Sequence, residues 1–452
     1  MIQRMEHLLF ALLMAAILVC ASVAQDIPQT VTIELIATGD ETQFDTWAQV
    51  AHAASGANNN YTISGIDPNT GGFYASLQDI RSSNIPLERG GLWVVWNSTL
   101  TKVWCYLNTD SIVATRGFFA VPRSQLLLDP ALLTTPGENL EAGLPPDAPA
   151  LPAAIYNAIN HQPWNAIMTA NMPASNFTQS NKVLATPPAP PAKYGYGPSP
   201  FNREILSSVS NKYRTPVVFK ITGTDPITGH AIPPYKTTAM RNSLVVPFVN
   251  ASNTGAGGIG SFIATHHNVT EPCGTLSSGL QGKVDTTQLF GVAAPGNVLT
   301  VFLDDPLDGP WYEMENKAYV NCAPIKSQEA GVNPALADGN PLNLTNPGIS
   351  VRERVLGQGL ATNAVGGTPD SVSYVSWTCN TLAGLGTYVT VNNINPFLGG
   401  WTGVFPSCAA AANVDYPLIQ TQEVTTDSPV PASVSALIGP VNTLVTSRLA
   451  WQ

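Results

Sequence analysis

The segment VFLDDPLDGPWYEME at 301–315 concentrates side chains that could do chemistry. It holds five carboxylates in fifteen residues, whereas only 11% of the whole chain is charged. Such a segment can bind a hard cation, form a solvated turn before the acidic first turn of a helix, or be a ligand loop whose residues have been replaced. The residues alone leave these three interpretations open.

The cation interpretation makes a specific comparison possible. Asp304, Asp308, Gly309 and Glu315 fall at positions 1, 5, 6 and 12 of an EF-hand-like loop. Pro306 occupies position 3, where calcium needs an oxygen ligand, and no amphipathic helix precedes the loop. We therefore expect no metal site here and favour a turn followed by a helix.

Two further groups of residues offer hydrogen-bond donors and acceptors, and the second of them also has a cation. In the first group, Asp40 or Thr42 stands just before the helical pattern of QFDTWA, which is typical of a helix N-cap, although both also have groups that could contact a ligand. In the second, Asp110, Ser111 and Arg116 offer an acceptor, a hydroxyl and a guanidinium. A strand-end network in which Arg116 pairs with Asp110 is the structural alternative.

Catalytic motifs are not found. The chain has no HExxH metal motif, no G-x-S-x-G nucleophile elbow and no Walker spacing around Gly282 and Lys283. Arg352 and Arg354 are the unassigned cations that could build an anion site, with surface pairing as the alternative. We predict a non-enzymatic protein without a cofactor.

The elements that position these groups alternate between strands and short helices. VTIELIATGD predicts a buried strand ending at Gly39, and Phe44, Trp47, Val50 and Ala51 then follow at helical spacing. Further predicted strands are GGLWVVWN, KVWCYLNTDSIVATRGFFAVP, PVVFKITGTDPITG, NSLVVPFVN, NVLTVFLDD and DSVSYVSW, with helices in AAIYNAINHQPWNAIM and after VLGQG. This alternation favours an α/β fold with mainly parallel or mixed sheets.

Bulk composition limits the function classes. At 452 residues the chain is long enough for two lobes, and its net charge of −10 without a basic cluster argues against nucleic-acid binding. Pro-rich stretches at 126–200 predict an insertion draped over one lobe, with linkers between domains as the alternative.

The N-terminus predicts export. Arg4 precedes an apolar run that ends in Ser22-Val23-Ala24, which is typical of a signal peptide (1–24) cleaved after Ala24. No other segment approaches the length of a membrane span, so we expect no stable membrane insertion after cleavage. Five cysteines remain in the mature chain, and a Cys379–Cys408 disulfide is the preferred pairing.

Six segments, in chain order, resemble the phosphate-type periplasmic substrate-binding proteins of ABC importers. They are IATGDETQFDTWA, LNTDSIVATRGFFAVP, NSLVVPFVN, VFLDDPLDGPWYEME, GQGLATNAVGGTPDSVSYVSW and VDYPLIQTQEVTTDSPVP. The resemblance implies a two-lobed, type II periplasmic-binding-protein fold with mixed sheets flanked by helices and a cleft between lobes. It places lobe one at 25–245, lobe two at 246–390 and a return to lobe one at 391–452.

The resemblance also implies a ligand site. Its expected contacts are Gly39, Asp40, Thr42, Gln43, Asp110, Ser111, Arg116, Asp308, Gly309 and Trp311. In the acidic segment Asp304, Asp308 and Pro310 replace the Arg, Ser and Thr of the family pattern, and a carboxylate close to an anion is repulsive.

The function that follows is capture of a small anion or polar solute by cleft closure, with phosphate the family default. The expected protein is a periplasmic or extracellular monomer, with an importer permease as a candidate partner. The alternative is a secreted interaction or surface protein that kept the fold and lost phosphate binding.

Overall fold

A computed structural model describes residues 30–56, 60–64, 92–109, 111–126, 128, 130–134, 137–138, 147–170, 231–250, 274–282, 285, 289, 298–303, 309–319, 350–354, 358–378, 386–402, 410–448 and 451. The strands are β1 (Thr32–Gly39), β2 (Asn60–Ser64), β3 (Leu92–Trp96), β4 (Lys102–Asn108), β5 (Gly137–Glu138), β6 (Asp147–Ala148), β7 (Ala166–Thr169), β8 (Tyr235–Asn250), β9 (Leu299–Leu303), β10 (Ser350–Arg354), β11 (Ser371–Ser376), β12 (Gly386–Tyr388) and β13 (Ile419–Asp427).

Short helices alternate with these strands. They are α1 (Phe44–Ser55), α2 (Ser111–Phe118), α3 (Ala153–Ile159), α4 (Thr275–Leu280), α5 (Gly309–Ala318), α6 (Gln358–Gly367) and α7 (Ala432–Arg448), with 3-10 turns at Glu41–Gln43 and Pro130–Leu133. Strands and helices flank one another as the sequence predicts, which confirms the mixed α/β class.

One long strand connects two halves of the molecule. The first part of β8 pairs with β13 as far as Leu244, and from Val245 onward β8 pairs with β11. The strand order is β10-β9-β11-β8-β13-β7-β1-β4-β3-β2-β5-β6, with β12 also paired to β8. We call the side that contains β1 and β13 the first half, and the side that contains β9 and β11 the second half.

In the first half, successive side chains of a strand pack on opposite faces of the sheet. In β1, Leu35 and Ala37 pack into one apolar core and Ile36 into the core on the opposite face. Helices α1 and α7 cover the first of these faces, and α2 and α3 cover the second. A sheet buried on both faces explains why β1 and β3 are almost wholly apolar where they are central.

A separate core fills the second half. It joins the apolar side chains of β9, β11 and the second part of β8 to those of α4, α5 and α6. Leu418 belongs to this core, and the chain re-enters the first half at β13.

Two segments differ from the sequence expectation. Residues 111–118, expected as strand, form α2, because Ser111, Ala114 and Phe118 recur at helical spacing on a buried face. The segment 126–200, expected as an insertion draped over one lobe, contributes β7, which lies between β1 and β13 inside the sheet.

Three other expectations concern membrane insertion, disulfide pairing and the signal segment. No helix among the described residues is long and apolar enough to cross a membrane. Cys105 is buried and free, whereas Cys379, Cys408 and the signal segment 1–24 lie outside the described residues.

Candidate functional site

The candidate site lies where three strands of the first half end together. β1 is parallel to both β4 and β7, and Gly39 is in register with Asn108 and Met168. The carboxyl ends of parallel strands that diverge to both sides of a central strand form the usual ligand crevice of α/β sheets. Asp40 follows directly after β1 at this edge.

Asp40 is wholly buried and held by its neighbours through both backbone and side chain. Its backbone N–H donates to the Met168 carbonyl (2.8 Å), and the Tyr106 hydroxyl donates to the Asp40 carbonyl (2.7 Å). Its Oδ1 accepts from the Thr42 backbone N–H at 2.9 Å, which makes Asp40 the N-cap of the following 3-10 turn. The helix α1 itself, for which the sequence predicts Asp40 or Thr42 as N-cap, has Gln43 at that position.

The second carboxylate oxygen of Asp40 contacts another helix terminus. The hydroxyl of Ser111, the first residue of α2, donates to Oδ2 at 2.8 Å, and the same hydroxyl accepts from the Ala170 backbone N–H at 3.0 Å. Sequence analysis predicted Asp40 and Ser111 as site residues, and the structure brings them into direct contact.

The second half reaches this carboxylate through the N-terminus of α5. A Cβ added to Gly309 would lie 2.4 Å from the Ala170 Cβ and 2.9 Å from Asp40 Oδ2. Real Cβ atoms do not approach other atoms so closely, so the backbone at Gly309 touches the first half directly. The positive end of a helix favours a negative charge at this position.

Gln420 of β13 is a site residue that the sequence analysis missed. It is 1% exposed, its Oε1 accepts from the Ser376 hydroxyl at 3.1 Å, and its Nε2 has no hydrogen-bond partner among the described residues. That Nε2 lies 2.7 Å from the Cβ position of Gly309. The only sequence signal was a polar residue repeated at every second position in a buried strand, Gln420 and Gln422.

Gln43 is engaged inside the first half. Its Nε2 donates to Gln422 Oε1 at 2.9 Å and to the carbonyls of Thr169 and Glu423, and its Oε1 accepts from the Trp47 indole. The amide therefore links α1 to β7 and β13.

The other predicted residues belong to α2, α5 and β10 or lie outside the described residues. Arg116 is buried on α2, and Trp311 is wholly buried on α5 two residues after Gly309. Arg352 donates from Nε to the Leu280 carbonyl at 3.1 Å within the second half. Asp110, Asp304 and Asp308 lie outside the described residues.

No group of three or more potential metal-ligating side chains occurs among the described residues. Burial is the dominant influence on the Asp40 carboxyl and raises its pKa, against the opposing hydrogen bonds from Thr42 and Ser111. Burial by itself disfavours a charge at this position, and the Thr42 N–H and the Ser111 hydroxyl are the donors that can stabilise a small anionic group there.

Two other buried carboxyls predict a pH dependence of stability. Burial raises the pKa of Glu423 and of Glu313 to about 7 from 4.5, although Lys317 at 3.6 Å lowers the pKa of Glu313. Both folded pKa values are raised, so the stabilisation is complete below pH 4.5 and is lost as pH rises through about 7.

The free energy of unfolding should fall by about 2 kcal/mol per group between roughly pH 5 and 8. Urea titrations across this range measure it. Glu423→Gln and Glu313→Gln should each reduce the decrease; an unchanged decrease in both variants would contradict the assignment.

Comparison with solved structures finds distant likenesses. PstS from Borrelia burgdorferi is 10% identical at TM-score 0.32, covering 93% of this chain and 97% of its own. A phosphate-binding protein from Stenotrophomonas maltophilia is 12% identical at TM-score 0.35, covering 76% and 84%. An ABC-type phosphate transport receptor from Vibrio cholerae is 11% identical at TM-score 0.31, covering 49% and 74%.

No protein-family model matches the chain, and no curated protein matches it. The ligand must therefore be inferred from the residues at the site.

Proposed function

We propose that this chain is an exported, non-enzymatic solute-binding protein that captures a small oxyanion or polar solute between its two halves. The observation that carries the proposal is the meeting of three helical N-termini, at Thr42, Ser111 and Gly309, around one buried acceptor. Backbone and hydroxyl donors of this kind suit an oxyanion.

Closure follows from where the donors lie. Thr42 and Ser111 belong to the first half and Gly309 to the second, so the three groups surround this position only when the halves are together. A solute that contacts both halves would shift an open–closed equilibrium toward the closed form. The strand β8, which changes partner between Leu244 and Val245, is where such a rotation would be accommodated.

We propose the same location, oligomeric state and partner as the sequence predicts. The protein would act outside the cytoplasm as a monomer, with phosphate as the first ligand to test and an importer permease as a candidate partner. The Asp308 and Trp311 contacts expected from the sequence remain proposals: Trp311 is wholly buried, and Asp308 precedes the α5 N-terminus.

The test is a thermal denaturation series with phosphate, sulfate and neutral polar solutes. At about ten times its Kd a ligand adds about 1.4 kcal/mol to the free energy of unfolding, which should raise Tm by a few degrees. If none of these solutes at millimolar concentration changes Tm, solute capture fails as the function.

One observation favours the alternative, a secreted interaction protein that lost phosphate binding. Asp40 itself fills the position between the helix termini, and Gly309 leaves no space there. A chain with unchanged Tm in all solutes but a stable complex with another exported protein would have this role.

A further inference from the structure

The Asp40 carboxylate stands where a bound anion would have to be. It accepts from the Thr42 N–H at 2.9 Å and from the Ser111 hydroxyl at 2.8 Å, and Oδ2 lies 2.9 Å from the Cβ position of Gly309. Two of these neighbours belong to the first half and one to the second. The carboxylate therefore makes contacts across the boundary that a solute would otherwise make.

Asp40 also leaves one donor at this centre unused. The Gln420 Nε2 is buried, has no hydrogen-bond partner within the part of the chain that the structure describes, and lies beside Gly309. A buried amide donor without an acceptor is costly, and a carboxylate has only two oxygens to offer. A tetrahedral oxyanion has more acceptor oxygens and can supply one to Gln420.

From this geometry we infer that Asp40 acts as a built-in substitute for an anionic ligand. Its carboxylate holds the two halves closed without solute, and an oxyanion enters only by displacing it from Ser111 and the α5 N-terminus. This inference rests on the proposed function and adds its regulation, since the intramolecular carboxylate competes with the solute for the same donors. Unmodified chain should then bind anions weakly.

The decisive variant is Asp40→Ser. Serine is a good N-cap and retains an acceptor for the Thr42 N–H, so the turn before α1 should fold. Its shorter neutral side chain vacates the carboxylate position beside Ser111 and Gly309. Glu423→Gln is the matched control, because it also neutralises a buried carboxyl in the first half but takes no part in these contacts.

Two measurements are made on each purified mature chain. Small-angle X-ray scattering without solute should give a larger radius of gyration for Asp40→Ser than for the unmodified chain and the control. Calorimetric titration with inorganic phosphate, then sulfate, should show at least about tenfold tighter binding by Asp40→Ser, because a competing like charge has been removed. Saturating phosphate should restore the smaller radius.

The outcomes separate the inference from the proposed function. Equal phosphate affinity in the unmodified chain and Asp40→Ser would overturn the inference while leaving solute binding intact. An unchanged radius with no binding in Asp40→Ser would also overturn it. A larger radius with no binding of either anion would support the closing role of Asp40 and count against an oxyanion as the ligand.

Adding Gln420→Leu to Asp40→Ser tests the unused donor. Phosphate binding should weaken in the double variant relative to Asp40→Ser alone, because one donor to the oxyanion is lost. Unchanged affinity would remove Gln420 from the site.

Discussion

Gly39→Ala is expected to destabilise the protein by more than about 4 kcal/mol. Gly39 ends β1 at φ +152°, and a Cβ there would lie 1.7 Å from the Met168 carbonyl oxygen. No rotation of a side chain can relieve this contact, because both atoms are fixed by the β1–β7 register and by the Asp40 N–H to Met168 hydrogen bond. The strand ends that build the site would have to separate.

Gly56→Ala is the matched control for this substitution. Gly56 also has a positive φ, +101°, at the C-terminal end of α1, but a Cβ there would meet no described atom within 4 Å other than those of its chain neighbours. Its expected cost is about 1–2 kcal/mol, from the left-handed backbone alone. Urea denaturation of both variants measures the difference; similar costs would show that the close approach at Met168 has little energetic effect.

Gly309→Ala is expected to drive the two halves apart. The added methyl group would overlap Ala170 Cβ at 2.4 Å and crowd Gln420 Nε2 at 2.7 Å. Overpacking of this kind costs about 1–3 kcal/mol in a packed interior, and here separation of the halves relieves it. The measurement is the radius of gyration in solution, which should increase.

Two further substitutions test whether the contact between positions 309 and 170 causes the increase in radius of gyration. Ala170→Gly removes the closest overlapping carbon, so the double variant Gly309→Ala with Ala170→Gly should recover part of the smaller radius. Gly367→Ala adds a methyl group to a helical glycine that has no described atom within 4 Å beyond its own helix and chain neighbours, and it should leave the radius unchanged. An increase in that control, or no increase in Gly309→Ala, would contradict a direct contact between the halves.

Local pattern predicted much of the fold. The helical spacing from Phe44 to Ala51 is α1, and the apolar runs that begin at Leu92 and Leu299 are β3 and β9. These elements were predictable because the spacing of apolar residues within each segment is enough to indicate a helix or a strand. Residues 111–118 misled the prediction because β-branched residues there sit on a short helix with a buried face.

The site was predictable only in part, because it depends on contacts distant in the chain. Gly39, Asp40 and Ser111 were predicted as ligand contacts from segment order, but the direction of the Asp40 carboxylate depends on how α2 and α5 are packed. Gln420 reaches the centre from β13, far along the chain from Asp40. No local pattern encodes such a meeting, since it is set by the assembly of both cores.

β8 runs without a break from the first half into the second. Leu244 and Ile419 are register partners, so the points where the chain leaves and re-enters the first half lie side by side. Apolar residues described between Val245 and Leu418 share one core, whereas the core residues of the first half come from described segments before and after them. A short loop from Leu244 to Ile419 would close the first half without the second, making the two halves separable by excision even though they share a strand.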